Sequence, residues 1–115
     1  MLSSAELKEH LLMTLQSTAA WRAEKAEQFQ HDERNRRSAE ALSRLEEKLT
    51  ALPDDDPALR SLWWEWYRPR TGEVELSGLV EAESAFIARY GFDGAETGDA
   101  VAFLRALAEA VSDAR

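Results

Sequence analysis

The stretch SAEALSRLEEKLTALP, residues 38–53, decides the fold class. Residues spaced three or four apart in this stretch lie on one narrow face of a helix, which we call the seam; they are Ser38, Leu42, Leu45, Leu49 and Leu52. This spacing predicts a helix that packs along one antiparallel neighbour. Pro53 ends the helix, because proline has no N–H to donate and clashes with the preceding turn.

A further helix is predicted on the N-terminal side of the seam, and the spacing does not say which helix is the neighbour. Ser3 and Glu6 have the spacing of a capping box, in which each side chain satisfies a free amide at the start of a helix. Apolar residues then recur at helical spacing, at Leu7, Leu11, Leu15 and Ala19. The pattern leaves open whether this helix continues through Trp21 to Phe29 or breaks there. Asp32 is the predicted N-cap of the seam helix.

Three further helices are predicted after the seam. Asp56 caps the third and Pro57 takes its first position, where a missing N–H costs nothing. This helix ends by Tyr67, because the residue before Pro69 is pushed out of the helical region. It carries Leu59, Leu62, Trp63 and Trp66 on one face.

The fourth helix is predicted to start at a Ser77 cap and to stop at Gly91, which suits a left-handed C-terminal position. Residues 73–76 are interpreted as an ordered loop. A last helix starts near Asp99. The apolar positions of these two helices are Val80, Phe86, Ile87, Tyr90, Val101, Leu104, Leu107, Ala108 and Val111.

Composition agrees with this pattern. Ala, Leu, Glu and Arg supply 60 of the 115 residues, whereas Val and Ile supply only 5, too few to cover the faces of a sheet. The length is that of one ordinary domain. We therefore predict an all-α, compact bundle of four to five helices, with residues 1–115 as a single domain.

Several classes of protein are excluded or disfavoured. The chain has no cysteine, which rules out disulfides, cysteine-based metal sites and a thiol nucleophile. No apolar run approaches the length of a membrane span, and the N-terminus lacks the features of a secretory signal. We expect a cytoplasmic protein. The 11 Arg against 3 Lys, with abundant Ala, indicate a GC-rich bacterial source.

Charge is unevenly distributed along the chain. Residues 1–53 hold 8 basic and 9 acidic side chains, whereas residues 54–115 hold 6 and 13. Nucleic-acid binding depends on neutralising phosphates, so the acidic second half disfavours that partner. The excess of acid instead favours a basic protein partner.

The block LWWEWYR, residues 62–68, is the most unusual feature of the sequence. Three tryptophans in four residues cannot all face one way on a helix, so Trp64 is predicted to point away from the core. An exposed Trp beside Arg is typical of an interface hot spot. The predicted protein-interaction surface consists of Trp64, Tyr67, Arg68 and Arg70. The structural alternative is a core with one partly exposed ring.

A second polar cluster is predicted where the first two helices meet. Trp21, Arg22, Lys25, Arg34 and Asn35 could line a pocket for a planar anionic ligand. The structural alternative is local: an N-cap, salt bridges at helix ends, and an Arg stacked on Trp. Under that alternative the same residues hold a helix junction together.

Metal chemistry has little support, and we predict neither a metal site nor a cofactor. His10 and His31 are the only histidines, and no Glu-x-x-His or His-Glu-x-x-His occurs. Paired carboxylates at Glu24–Glu27 and Glu96–Asp99 match the spacing that an all-α, magnesium-dependent nucleotide hydrolase uses. With 22 acidic residues such pairs arise by chance.

The sequence therefore predicts a small, acidic, non-enzymatic interaction or regulatory protein. Its partner is another protein or a second copy of itself, through the Leu42–Leu49 seam or the tryptophan face. The alternatives are the magnesium-dependent hydrolase and a small-ligand-binding helical protein. No catalytic constellation, phosphate-binding glycine loop or dinucleotide fingerprint supports an enzyme.

Overall fold

Five α-helices make up most of the residues that the computed structural model describes, which are 3–67, 76–92 and 99–113. They are α1 (Ser4–Gln28), α2 (Arg34–Ala51), α3 (Pro57–Tyr67), α4 (Leu76–Arg89) and α5 (Ala100–Asp113). These residues contain no β-strand, which confirms the all-α prediction. No helix among them is long and apolar enough to span a bilayer.

The helix α1 begins at the predicted capping box. The Ser3 hydroxyl accepts a hydrogen bond from the Glu6 amide at 3.2 Å, and the Glu6 carboxylate accepts one from the Ser3 amide at 3.4 Å. The helix then continues without a break to Gln28. The point that the sequence left open, near Trp21, lies inside the helix.

The α2 seam packs against α1, which runs antiparallel to it. Contacts pair the end of α1 with the start of α2 and the start of α1 with the end of α2, as the Arg22–Asn35 and Lys8–Thr50 hydrogen bonds show. The leucines of the Leu42–Leu49 seam are buried within this chain. The seam is therefore not exposed for pairing with a second copy.

The core lies between this hairpin and the other three helices. The helix α5 packs against α3 and α4, and α1 contacts α2, α3 and α4. Fully buried side chains come from every helix, and the largest are Leu11, Leu15, Leu42, Leu45, Leu49, Leu59, Leu62, Ile87, Phe103, Leu104 and Leu107. These residues form one apolar cluster.

Buried polar side chains of α1 and α2 satisfy the free carbonyl groups at the ends of other helices. The Lys8 ammonium donates to the carbonyls of Thr50 and Leu52, at 3.2 and 2.6 Å, where α2 ends. The Ser38 hydroxyl donates to the Tyr90 carbonyl at 2.7 Å, just beyond α4. Because cations and donors are favourable at helix C-termini, these contacts fix both helix ends.

Gly91 follows α4 in the left-handed conformation that the sequence predicts, with φ of 72°. Here α4 meets α2 closely. A Cβ atom on Gly91 would lie 2.7 Å from the Cβ of Ala41 and 3.4 Å from the Cα of Ser38. Glycine is required at this position both by the backbone angle and by the space.

Most predicted helix starts are confirmed, and two details are wrong. Asp56 accepts from the Ala58 amide and Asp99 from the Ala102 amide, as N-caps do. However, α4 begins at Leu76, so Ser77 lies inside the helix and is not its cap. Val80 is exposed rather than part of the apolar face. Residues 73–75 of the predicted loop lie outside the described residues.

The start of α2 differs slightly from the prediction. Glu33 is the residue that precedes the helix, and its side chain makes no capping hydrogen bond. The Asp32 carboxylate nevertheless accepts from the Arg34 amide at 3.1 Å. The predicted hydrogen bond is therefore present one residue before the helix boundary.

Candidate functional site

An open groove of about 610 Å³ lies between the start of α1 and the outer face of α3. We call it the Trp64 groove. It is lined by Ser3, Ser4, Arg60, Ser61, Trp63, Trp64 and Glu65. It combines a large aromatic surface, two kinds of charge and three hydroxyl groups in one place.

The periodicity of α3 turns one tryptophan inward and the next outward. Leu59 and Leu62 are fully buried, and Trp63 follows them at the edge of the core, where it is half-buried. Trp64 lies about 100° further round the helix. It is 54% exposed, as the sequence predicts for the ring that points away from the core.

Only part of the predicted interaction surface can be placed. Trp64 lines the groove, and Tyr67 is the last residue of α3. Arg68 and Arg70 lie outside the described residues. The cation that the structure places in the groove is Arg60, one helical turn before Trp64. Sequence reasoning missed it, although the i, i+4 spacing of Arg60 and Trp64 indicates one face of a helix.

The opposite wall of the Trp64 groove is held firmly by contacts to the α2–α3 connection. The Ser4 hydroxyl donates to the Asp54 carbonyl at 3.0 Å. One turn further along α1, the buried Lys8 ammonium forms an ion pair with the Asp54 carboxylate at 3.0 Å. The groove therefore has two helical walls whose relative position is fixed by long-range contacts.

Acidic side chains surround this end of the molecule. Asp54, Asp55 and Asp56 follow each other in the connection that Ser4 contacts, and Glu6 caps α1 beside Ser3. Lys8 already neutralises Asp54. Glu65 lines the groove itself, and Asp55 and Asp56 lie in the connection that Ser4 contacts, so we expect a negative potential at this rim, with Arg60 as the cation among the lining residues.

The second predicted cluster forms, but its polar atoms are used inside the chain. Arg22 is only 9% exposed. It donates to the Asn35 side chain at 2.9 Å and, through two nitrogens, to the Ala88 carbonyl. Its guanidinium also lies over the rings of Trp21 and Phe92, at 4.5 and 4.1 Å from the centroids. These contacts join α1, α2 and the end of α4.

The outer residues of this junction are also engaged. Arg34 lies 4.8 Å from the centroid of Phe92 and donates to both oxygens of Asp32. The Arg34 hydrogen bond lowers the pKa of Asp32 to about 2. Lys25 donates to Gln28. The geometry thus favours the structural interpretation, a helix junction, over a ligand pocket at these residues.

A contact between the half-exposed His10 of α1 and the buried Glu83 of α4 was not predicted at all. The Glu83 carboxylate lies 2.9 Å from Nε2 of His10, and Glu83 is 2% exposed. Burial raises the pKa of Glu83, and the neighbouring His10 opposes that shift. The signal was present in the sequence, because Glu83 lies four residues before Ile87 and seven before Tyr90, on the apolar face of α4.

The residues weighed for magnesium do not come together in the described part of the chain. Glu24 and Glu27 are both exposed on α1. Asp99 is used as the N-cap of α5, and Glu96 lies outside the described residues. Over residues 3–67, 76–92 and 99–113, no three His, Asp or Glu side chains group as metal ligands would.

Comparisons of the chain with protein-family models, with curated proteins and with solved structures find no match. The features of the Trp64 groove that bear on function are its exposed indole, its mixed charge and its fixed walls.

Proposed function

We propose that this protein is a non-enzymatic interaction module whose Trp64 groove binds a basic segment of another protein. The observation that carries the proposal is the Trp64 indole, 54% exposed on a groove whose walls are fixed. An exposed indole on a groove with fixed walls offers apolar surface whose burial by a partner would be favourable. The cytoplasmic location stays a prediction.

The indole supplies the apolar part of the binding energy. Interface hot spots are enriched in Trp and Arg, and truncating one commonly costs about 2 kcal/mol or more of binding free energy. Trp64 and Arg60 are these two residue types in one groove. A partner that inserts a large apolar side chain beside Trp64 would remove both indole and groove surface from water.

Charge selects the partner. The chain carries a net charge of −8, and the aspartates beside Ser4 add a local negative rim. A partner with Lys or Arg next to its apolar side chain would be attracted to this rim and could place a cation over the indole face. Arg60 adds a requirement for an acceptor, either a carboxylate or a backbone carbonyl of the partner.

The experiment is a capture comparison between matched tryptophan variants. Immobilised wild-type protein, Trp64→Ala and Trp21→Ala are exposed to a lysate of the host, and bound proteins are identified by mass spectrometry. Trp21 is the control because it is also exposed, at 45%, but lies at the α1–α2–α4 junction. We expect a protein with a basic segment that the wild type and Trp21→Ala retain and Trp64→Ala loses.

The captured segment is then synthesised and titrated against the three proteins. We expect an affinity at least about 30-fold weaker for Trp64→Ala, the equivalent of 2 kcal/mol. Binding should also weaken as salt is added, because the rim charges are exposed. Equal affinity for wild type and Trp64→Ala, with Trp64→Ala folded by circular dichroism, would refute the proposal. Light scattering shows whether a second copy occupies the groove instead.

A further inference from the structure

The carboxylate of Glu83 is incompletely satisfied at the interface of α1 and α4. Its Oε1 atom pairs with Nε2 of His10 at 2.9 Å. Its Oε2 atom is buried and has no hydrogen-bond partner among the described residues. Each oxygen of a buried carboxylate normally has at least one hydrogen-bond partner, because unsatisfied charge in an apolar environment is costly. The contact to His10 therefore contributes strongly to the stability of the buried Glu83 carboxylate.

Among the described residues, His10 is the charged or titratable side chain that acts on Glu83. The helix α4 packs on α1 and α5, and α2 contacts the turn just beyond α4 through the uncharged side chains of Ser38 and Ala41. From α5, the ring of Phe103 contacts Phe86 and Tyr90 of the α4 segment, at centroid distances of 5.6 and 5.5 Å. From α1, the His10 imidazole is half-exposed, so it can exchange protons with solvent while it contacts the buried carboxylate.

We propose that His10 and Glu83 form a pH-sensitive latch, which holds the middle of α4 against α1 most firmly when His10 is protonated and loosens as His10 loses its proton. The protonated imidazole supplies a countercharge to the buried carboxylate. The neutral imidazole supplies only a hydrogen bond. Histidine is the residue type that proteins most commonly use for pH-dependent switching.

The two members of the pair act in the same direction. Burial raises the pKa of Glu83 above its ordinary value. A carboxyl group with a raised folded pKa adds stability below its ordinary pKa, and this stability is lost as the pH rises through the folded value. Loss of the imidazolium charge at higher pH removes a further attraction. Docking of α4 therefore weakens as the pH increases.

Other contacts of α4 determine which part of this helix loosens from α1. The end of α4 is fixed independently, since Arg22 donates to the Ala88 carbonyl and Ser38 to the Tyr90 carbonyl. Neither donor changes charge near neutral pH. The part of α4 that the latch controls is consequently the part around Glu83, while the C-terminal turn stays attached to the α1–α2 hairpin.

Hydrogen exchange read by mass spectrometry tests the latch in the full-length protein. Protection factors, corrected for intrinsic exchange rates, are measured for α4 and for α5 at about pH 5.5 and about pH 8. We expect the ratio of α4 to α5 protection to fall by on the order of tenfold between these conditions. In Glu83→Gln, which removes the charge and keeps the shape, the ratio should not change with pH.

Two further variants keep the test specific. His10→Gln retains a hydrogen-bond donor without the imidazole charge, so its ratio should be below that of the wild type at about pH 5.5 and should change less between the two pH values. Glu81→Gln removes an exposed carboxylate from the same helix and should behave as the wild type. The proposal is overturned if the wild-type ratio is the same at both pH values, or if Glu83→Gln keeps the full pH dependence.

Discussion

Two regions of the molecule use the same pair of residue types, a tryptophan and an arginine, in different ways. At the junction of α1, α2 and α4, the Arg22 guanidinium is buried between rings and donates to Asn35 and to a helix end. In the Trp64 groove, Arg60 and Trp64 line an open surface instead. The junction uses its polar atoms to hold helices together, whereas the groove leaves its surface available to a partner.

The difference lies in what each arginine can reach within its own chain. Arg22 lies on the inner side of a long helix, opposite the C-terminal turn of α4, where free carbonyls require donors. Arg60 lies on the outer side of a short helix whose inner side is filled by Leu59 and Leu62. The same residue type is therefore structural in one place and a candidate binding group in the other.

The largest effect is expected from Arg22→Ala, which breaks the junction and leaves the groove unchanged. In Arg22→Ala, the Asn35 oxygen and the Ala88 carbonyl lose a buried, charged donor, which we expect to cost about 3 kcal/mol of unfolding free energy. Arg60→Ala should change the unfolding free energy by less than about 0.5 kcal/mol, since Arg60 is exposed. Urea denaturation of both variants measures the two values. Similar losses would show that the groove is also a structural element.

A second substitution separates packing at the junction from its hydrogen bonds. In Gly91→Ala, the new methyl group would lie 2.7 Å from the Cβ of Ala41, in a backbone conformation that alanine disfavours. We expect a loss of about 2 kcal/mol, from overpacking and backbone strain together. Thermal unfolding measures it. A wild-type melting temperature would mean that α4 moves away from α2 at little cost.

Much of the fold could be predicted from sequence, because it depends on local signals. The Ser3 capping box, the Asp56–Pro57 start and the left-handed Gly91 each follow from the chemistry of a few neighbouring residues. The seam around Leu42 and Leu45 was predicted for the same reason. The prediction that Ser77 caps α4 was wrong, because a serine cap and a serine inside a helix cannot be told apart before the helix boundary is known.

The candidate sites were harder to predict, because they depend on contacts between distant residues. The outward direction of Trp64 follows from helical periodicity alone, so it was predicted. No local signal predicts that α1 forms the second wall of the groove. This wall depends on the contact between Ser4 of α1 and Asp54 in the α2–α3 connection. The pairing of His10 with Glu83 spans 73 residues and requires the packing of α4 on α1.

The smallest expected effect concerns the exposed edge of the junction, where Arg34 contacts Phe92 and donates to Asp32. The Arg34 hydrogen bonds hold the pKa of Asp32 at about 2, below its ordinary value of 3.8. A lowered folded pKa contributes stability above the ordinary value, and this contribution is lost as the pH falls through about 2. Asp32→Asn should therefore be slightly less stable than the wild type at pH 5, and the gap should close on acidification.

The measurement is the urea midpoint of wild type and Asp32→Asn at steps between about pH 5 and about pH 2. Asp55→Asn, in the exposed α2–α3 connection, is the matched control, and we expect no comparable closing of the gap. A gap for Asp32→Asn that is absent at every pH would mean that solvent screening cancels the exposed ion pair. The stabilising part of the junction would then be confined to the buried contacts of Arg22, which sharpens its contrast with the open Trp64 groove.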